Sequence, residues 1–358
     1  MHVPQVGAFR SAVGTRHERQ ALYVHWEDND ENWGIGECAC RPDPYFNGEF
    51  LAGAIAVLRD FVFPALPAEG HIRDVMQVLS RMRGWNFTVA TVWDALFDLL
   101  HRAQIFYWLD LWEGPKLTSV PAGISLGFFE SPSEALSRVQ LAVNDGYRRI
   151  KLKVKPGMDV EPIAAVRAAF PNLHLAFDAN GSCGANDGAF LQTLNTFQPA
   201  AIEQPFAPDR LDLCVELKEA LPTLRICLDE SVASLGDLMV AHRLGALDEL
   251  NIKPGRVGGP LVTLDSMSYC RKHKLPLWVG GMFETGVGRM ANLRLAARLP
   301  NAQAHDLSPS RRYFPADVVQ NPIDMSPDGY IEHDYDQPVI LNQNNLEQMR
   351  QQRIVLEK

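Results

Sequence analysis

The sequence predicts an α/β fold in which a (β/α)8-type TIM barrel of parallel strands lies beside an α+β capping domain. From about residue 118 onward, eight short apolar or β-branched runs alternate with helical patterns, as expected of consecutive βα units. Charged residues end five of these runs at near-constant spacing. The first 117 residues show a different pattern, and 358 residues are enough for a barrel and a second domain.

The N-terminal part carries strand patterns followed by helical ones. An antiparallel β-meander is predicted over FRSAVGTRHERQALYVHWED and NWGIGECAC, and helices over LAGAIAVLRDFVF and TVATVWDALFDLLHRAQ. The stretch after about residue 315 has turn residues and short strands such as PVIL, and we expect it to return to this part. The expected domains are a capping domain over 1–117, completed by about 315–358, and a barrel over 118–314.

The eight runs of the barrel have helices between them. In one of these helices Asp159 can cap the N-terminus, Pro162 suits the first turn, and Ile163 and Val166 share one face. No glycine-rich turn follows the first run, so a dinucleotide-binding fold is disfavoured. The runs are SVPAGISLG, RRIKLKV, NLHLAFDAN, PAAIEQP, LRICLDES, ELNIKPG, LPLWVGGM and AQAHDLS.

Composition excludes several classes of protein. The net charge is −9 and there is no dense Lys/Arg run, so a nucleic-acid partner is not expected. The most apolar early segment is broken by Arg59 and Asp60 and is too short for a membrane span. Six cysteines are too few for a disulfide framework, and Cys38-x-Cys40 has no second pair at zinc spacing. We therefore expect a cytoplasmic protein with reduced cysteines.

Five charged residues stand at the C-terminal ends of consecutive runs. Lys153, Asp178, Glu203, Asp229 and Lys253 are separated by 25, 25, 26 and 24 residues. One βα unit has about this length, so the five side chains are predicted to ring the top face of the barrel, where TIM-barrel enzymes place their active sites.

Three of the five are carboxylates on adjacent strands, and like charges in a cavity repel unless a cation lies between them. Asp178, Glu203 and Asp229 offer only oxygen ligands, which suits Mg²⁺, with Mn²⁺ tolerated. Zinc is disfavoured because no His belongs to the set.

Two lysines flank the carboxylates and are predicted to face each other across the metal. Lys153 and Lys253 can act as bases if burial, a cation or a charged neighbour lowers their pKa. Lys151, on the same strand face as Lys153, and Arg256, beside Lys253, are such neighbours. The chemistry predicted from these residues is proton abstraction alpha to a carboxylate through an enediolate.

The motifs of the barrel, in their order and spacing, resemble those of the enolase superfamily, muconate-lactonizing subgroup. Within it, the resemblance is to the o-succinylbenzoate synthase/N-succinylamino acid racemase family. It implies a modified (β/α)7β barrel with a capping domain from both termini, Mg²⁺, a small-molecule carboxylate substrate and a homo-oligomer. The motifs are KLKVKPG, DAN, IEQP, CLDES, NIKPGRVGG and GGMFETGVGRMAN.

Carried over by position, the resemblance assigns roles to individual residues. Lys153 and Lys253 match the acid/base lysines, and Asp178, Glu203 and Asp229 match the metal ligands. The positions that match the lining of the substrate pocket are Ser125, Asn180, Gly281, Met282 and Phe283.

Two outcomes of the same chemistry stay open. The first is dehydration to o-succinylbenzoate in menaquinone synthesis, and the alternative is racemisation of N-succinyl or other N-acyl amino acids. Arg256 is compatible with both reactions. A related cycloisomerase or racemase of divergent specificity is the third possible activity. The dipeptide epimerases of this subgroup place two Asp residues on the last strand, where this chain has only Asp306. The competing class is a barrel that binds carboxylates without catalysis.

Some positions depart from the family pattern. Phe283 stands where a smaller aliphatic residue is usual, and Arg41 stands in the cap loop where relatives are usually apolar or small. Arg41 is either a solvated loop charge or reaches into the pocket to pair with a second substrate carboxylate.

Overall fold

The computed structural model describes residues 1–11, 14–67, 69 and 71–357. Two antiparallel hairpins open the chain: β1 (His2–Ser11) pairs with β2 (Gly14–Gln20), and β3 (Leu22–Glu27) pairs with β4 (Trp33–Cys38). They form separate two-stranded sheets, so the prediction of one continuous meander is wrong. Only Ala21 lies between β2 and β3, and one residue is too short for a hairpin turn.

The predicted helices of the N-terminal part are confirmed. The segment 86–102 is one long helix, and its buried face includes Phe87, Trp93 and Phe97. The segment predicted as a single earlier helix is interrupted by a π-helical turn over Leu58–Val62. The helices are α1 (Leu51–Val57), α2 (Phe63–Ala65), α3 (Ile72–Leu79) and α4 (Asn86–Arg102), and a 3₁₀ turn follows at Trp108–Leu111.

Two glycines let strand β4 lie directly against helix α4. A Cβ at Gly34 would be 2.2 Å from the carbonyl oxygen of Ala95, and a Cβ at Gly36 would be 2.2 Å from that of Thr91. Both neighbours are backbone atoms of a helix, which cannot move aside cheaply. The alternating glycines of GIGEC therefore set the distance between the hairpin and the helix.

Gly36→Ala is expected to destabilise the protein by on the order of 3 kcal/mol, because the added methyl group forces β4 away from α4. Urea unfolding of the variant and the wild type measures the difference. Gly48→Ala is the control, since a Cβ there has no heavy atom within 4 Å. Equal loss of stability in both variants would contradict the packing argument.

Seven parallel strands form the barrel sheet, in chain order from β6 to β12. The register of every neighbouring pair is parallel, as the predicted βα units require. The strands are β6 (Gly123–Leu126), β7 (Arg149–Lys153), β8 (Leu175–Asp178), β9 (Ile202–Glu203), β10 (Ile226–Leu228), β11 (Glu249–Ile252) and β12 (Leu277–Val279).

Helices separate these strands. The predicted helix after the second run is confirmed, with Pro162 in its first turn and Ile163 and Val166 buried. Asp159 accepts a hydrogen bond from the backbone N–H of Glu161 at 2.9 Å. The helices are α5 (Pro132–Asn144), α6 (Glu161–Ala169), α7 (Gly188–Thr196), α8 (Leu211–Ala220), α9 (Leu235–Leu244), α10 (Pro254–Val257), α11 (Pro260–His273) and α12 (Gly286–Ala296).

The eighth run closes the barrel without forming a regular strand. His305 forms a parallel bridge with Ala122, and Asp306 donates its backbone N–H to the carbonyl of Val279 at 3.0 Å. This segment therefore joins the first and seventh barrel strands. The first run also differs from the prediction, because it is divided at Ala122 into β5 (Ser119–Pro121) and β6, and only β6 belongs to the barrel sheet.

The C-terminal segment contacts both parts of the molecule. Strand β13 (Tyr330–Glu332) pairs with β5, whereas helix α13 (Gln343–Met349) lies close to the first hairpins. Leu341, Leu346 and Met349 pack into the cluster around Ile35. In the predicted PVIL strand only Leu341 forms a bridge, with Val319.

Glu37 joins strand β4 to the start of helix α12. Its carboxylate accepts hydrogen bonds from the backbone N–H groups of Thr285 and Gly288 and from the Thr285 hydroxyl, at 2.7–3.1 Å. These N–H groups have no partner within the helix, so Glu37 satisfies them and also interacts favourably with the helix dipole. This contact fixes the hairpin to the barrel.

A cavity beside Glu37 is lined by Asp94, Asp98 and Arg294. Burial raises the pKa of Asp94 to about 7, and the carboxylates of Asp98, Glu284 and Glu37 add to the effect, whereas Arg294 opposes it. Because the pKa in the unfolded chain is near 3.8, the folded protein holds this proton more tightly. The contribution of this proton to the free energy of unfolding is fully present below about pH 4 and is lost as the pH rises through 7.

Asp94→Asn is expected to reduce this fall in stability between pH 4 and 8. Above pH 7 the variant should be more stable than the wild type by on the order of 2 kcal/mol, since no charge has to be buried. Urea unfolding at pH 5 and pH 8 measures the effect, with the exposed Asp265→Asn as control. Parallel pH dependences of Asp94→Asn and the wild type would contradict the assignment.

All six cysteines are free and buried, in agreement with the prediction of unpaired thiols. The sulfur atoms of Cys38 and Cys40 lie 3.4 Å apart inside an apolar cluster with Phe87 and Met282. The hydrogen bond with the Cys38 thiol, and then burial, raise the pKa of Cys40. None of the helices described in the chain is both long and apolar enough to cross a lipid bilayer.

Candidate active site

Strand register places the predicted site residues at one end of the barrel. Lys153 is the ladder partner of Asp178, which is in turn the partner of Glu203. Asp229 and Lys253 directly follow the next two strands, β10 and β11. The five residues that the sequence spacing grouped therefore lie along five consecutive strands, at their C-terminal ends.

Lys153 lies at one side of this group. Its ammonium donates hydrogen bonds to Asp178 Oδ2 at 2.6 Å and to Asn180 Oδ1 at 2.7 Å. Burial would raise the pKa of Asp178, but the ammonium groups of Lys153 and Lys151 lower it to about 2. Asp178 therefore stays ionised at neutral pH and holds Lys153 in place.

Lys253 lies at the other side, beyond the three strands that carry the carboxylates. Its ammonium donates to Asp229 Oδ2 at 2.5 Å, and Arg256 donates to the other oxygen of the same carboxylate. The ring of Phe46, in the loop before α1, has its centroid 5.1 Å from Lys253 Nζ. Because Asp229 is fully buried, these two cations compensate its charge in place of water.

Lys151 lies deeper in the barrel than Lys153 and is surrounded by carboxylates. Its ammonium is 2.6 Å from Glu203 and from Asp306 and 3.6 Å from Asp178. Burial would lower the pKa of Lys151, but these carboxylates raise it well above its usual value. Asp306 is also bound by Arg149 at 2.7 Å. Lys151 is therefore a fixed positive charge beneath the site.

The carboxylates have the chemistry of a magnesium site but do not adopt its arrangement here. Asp178 and Glu203 are 2% exposed and Asp229 is 0% exposed. Each is bound by a lysine, and in the described part of the chain no three His, Cys, Asp or Glu side chains are grouped closely enough to hold a metal. The three oxygen donors at one sheet edge still fit a hard cation, which would have to compete with the lysines.

A family model described as enolase C-terminal domain-like matches residues 134–334 of this chain. The chain belongs to the enolase superfamily. It is 36% identical to an o-succinylbenzoate synthase of Enterococcus faecalis over 90% of this chain and 88% of that protein. It is also 36% identical to an N-succinylamino acid racemase of Amycolatopsis over 89% and 87% of the two chains.

Solved structures agree with this assignment. A crystal structure of an enolase-superfamily member from Enterococcus faecalis has a TM-score of 0.87 and 35% identity, and covers 98% of this chain and 95% of its own. A member from Listeria innocua has a TM-score of 0.89 at 28% identity over the same shares of the two chains. The modified barrel expected from the sequence is thus the barrel of this superfamily.

The residues that the resemblance predicts to line a substrate pocket lie at the same end of the barrel or in the loop after β12. The Ser125 hydroxyl, on the strand beside β7, is buried and has no hydrogen-bond partner in the described structure. A Cβ at Gly281 would be 3.1 Å from Glu284 Oε2, so a glycine leaves room there. Met282 is buried, and Phe283 has a φ of 67° with its ring 5.0 Å from that of Tyr313.

Arg41 is buried and bound within its own loop. Its guanidinium donates to both oxygens of Asp43, at 2.5 and 2.9 Å. Asp43 takes two of the five N–H donors of the guanidinium, so the hypothesis that Arg41 binds a second substrate carboxylate stays a prediction.

Several residues that contact the predicted site residues were not found from the sequence. Glu230 accepts a hydrogen bond from Asn180, and Asn251 donates to Glu203 at 3.0 Å. Phe46 contacts Lys253 from outside the barrel. Glu230 could have been found from its place beside Asp229 in CLDES, but nothing in the sequence distinguishes Phe46 from other loop aromatics.

Proposed function

We propose that this protein catalyses Mg²⁺-dependent proton abstraction alpha to a carboxylate, and that its reaction is the dehydration that forms o-succinylbenzoate. The observation that carries the proposal is the placement of Lys153 and Lys253 on opposite sides of three buried carboxylates. The relatives at 36% identity include a protein named o-succinylbenzoate synthase, which supports this choice of reaction.

The residues of the site have separate tasks in this proposal. One lysine, in its neutral amine form, takes the α-proton and becomes an ammonium, while the fixed charge of Lys151 favours negative charge on the reacting group. Asp178, Glu203 and Asp229 would hold the Mg²⁺ ion, which enolase-superfamily members generally use. When bound, it supplies positive charge that stabilises a developing carboxylate dianion.

Racemisation of N-succinylamino acids is the second candidate. It needs two bases, one on each face of the substrate, so that a proton removed by one lysine is replaced by the other. The chain has both lysines, and a relative at 36% identity is named N-succinylamino acid racemase. Dehydration needs only one of the two lysines to exchange a proton, so the geometry supports both reactions.

A parallel assay tests the proposal. The purified protein with Mg²⁺ is followed for o-succinylbenzoate formation by absorbance and for N-succinylamino acid racemisation by polarimetry. Dehydration as the faster reaction supports the first proposal, and racemisation alone supports the second. Solvent deuterium is measured in the recovered substrates by NMR. No product and no deuterium with either substrate would contradict proton abstraction from these substrates and favour a binding protein.

A further inference from the structure

We propose that Glu230 is a positioning residue for Lys153 and acts through the side-chain amide of Asn180. Its part in catalysis rests on the proposed function above, but the contacts themselves do not. Lys153 Nζ donates to Asn180 Oδ1 at 2.7 Å, and Asn180 Nδ2 donates to Glu230 Oε1 at 3.1 Å. The three side chains thus form one chain of hydrogen bonds across the top of the barrel.

The direction of these hydrogen bonds gives Glu230 its role. An ammonium group can only donate, so the oxygen of the Asn180 amide must face Lys153. The amide nitrogen then points the other way and needs an acceptor, which Glu230 provides. Without that acceptor the amide loses the contact that selects this orientation, and the reversed amide would place N–H groups against the ammonium.

The backbone also holds Asn180 where this orientation matters. Its φ of 45° lies in the left-handed region, which Asn tolerates better than most residues. Its backbone N–H donates to Asp178 Oδ1 at 2.9 Å, so both Asn180 and Lys153 are attached to the same carboxylate. The side-chain amide is the part of this arrangement that remains free to turn, and Glu230 is its acceptor.

Glu230 also connects the two halves of the site. It follows Asp229, whose carboxylate binds Lys253, so two consecutive residues contact the two lysines, one directly and one through Asn180. The second oxygen of Glu230 is buried and has no hydrogen-bond partner among the described residues. The amide of Asn180 is therefore the side-chain donor that this carboxylate binds.

Competitive acetylation with acetic anhydride tests the positioning without any substrate. The full-length wild type, Glu230→Ala and Glu230→Gln are labelled at one pH, and mass spectrometry gives the ratio of Lys153 labelling to that of the exposed Lys272 on helix α11. Glu230→Ala should change this ratio by roughly fivefold, as for the loss of one hydrogen bond. Glu230→Gln retains an acceptor oxygen and should stay within about twofold of the wild type. An unchanged ratio in Glu230→Ala, or equal changes in both variants, would overturn the proposal.

Deuterium exchange then tests the consequence for the reaction. The two enantiomers of N-succinylphenylglycine are incubated separately in D₂O with Mg²⁺, and Lys153→Ala identifies the enantiomer whose α-proton Lys153 removes. Glu230→Ala should slow exchange of that enantiomer by about tenfold, and of the other by less than about twofold. Equal slowing of exchange for both enantiomers would mean that Glu230 has a merely structural role. Absence of exchange in the wild type would contradict the second candidate reaction for this substrate, and the acetylation ratios would still decide the role of Glu230.

Discussion

Lys153→Ala is expected to lower the rate of α-proton abstraction by about 10²–10⁴-fold, the usual contribution of a positioned general base. The neighbouring Lys155→Ala should stay within about twofold of the wild type, because it changes a lysine outside the site. Lys153 contacts Asp178 and Asn180 at the barrel mouth, whereas Lys155 is exposed and its ammonium lies 5.1 Å from the ring centroid of Phe128.

The pair of variants separates catalysis from general charge effects. Both remove one positive charge from the same short segment, so a loss caused by weaker attraction of an anionic substrate would occur in both. Solvent-deuterium exchange and product formation are measured under saturating substrate and Mg²⁺. Equal activities of Lys153→Ala and Lys155→Ala would show that Lys153 is not a base in this reaction.

The ring of charged residues could be predicted from the sequence because a βα unit has nearly constant length. Spacings of 24 to 26 residues bring Lys153, Asp178, Glu203, Asp229 and Lys253 to the same end of successive strands, and the structure places them there. Such spacing is the sum of the lengths of one strand, one helix and two short connecting loops, and it therefore repeats along the chain.

The partners of each side chain could not be predicted in this way. Lys151 and Lys153 share a strand face, yet one binds Glu203 and Asp306 and the other binds Asp178. These choices depend on rotamers and on the depth of each residue in the barrel. The contact of Glu230 with Asn180 joins strands that are not neighbours, so no local pattern indicates it.

The predicted boundaries of the first barrel strand are wrong for a different reason. SVPAGISLG has the composition of one strand, but β5 pairs with β13 and β6 pairs with β7, so the run changes partners at Ala122. The residue at which a chain changes sheets is set by which partner strands are available. The partner strand β13 lies about two hundred residues later in the sequence, beyond the reach of any local periodicity.

Asp229→Asn is expected to abolish activity and to destabilise the protein in the absence of Mg²⁺ by about 3–5 kcal/mol. The substitution keeps the size of the side chain but removes the carboxylate that is ion-paired directly with both Lys253 and Arg256. Asp212→Asn is the matched control, because Asp212 pairs with Arg210 on the exposed face of α8. An exposed pair contributes about 1 kcal/mol or less.

The same variant tests the metal assignment, because Asp229 is proposed both to bind Lys253 and to serve as a metal ligand. An ionised carboxylate has about four lone-pair positions on its two oxygens, so Asp229 can accept a hydrogen bond from Lys253 at 2.5 Å and also offer a ligand to Mg²⁺. Mg²⁺ that binds the folded protein should raise the melting temperature of the wild type, as mass action requires. Asp229→Asn should lose this Mg²⁺-dependent increase, whereas Asp212→Asn should keep it. An undiminished increase in Asp229→Asn would show that Asp229 is not a ligand. Its loss would mean that the carboxylate which binds Lys253 is also needed for the ion, so that the metal and the lysine would act on a substrate from the same side of the site.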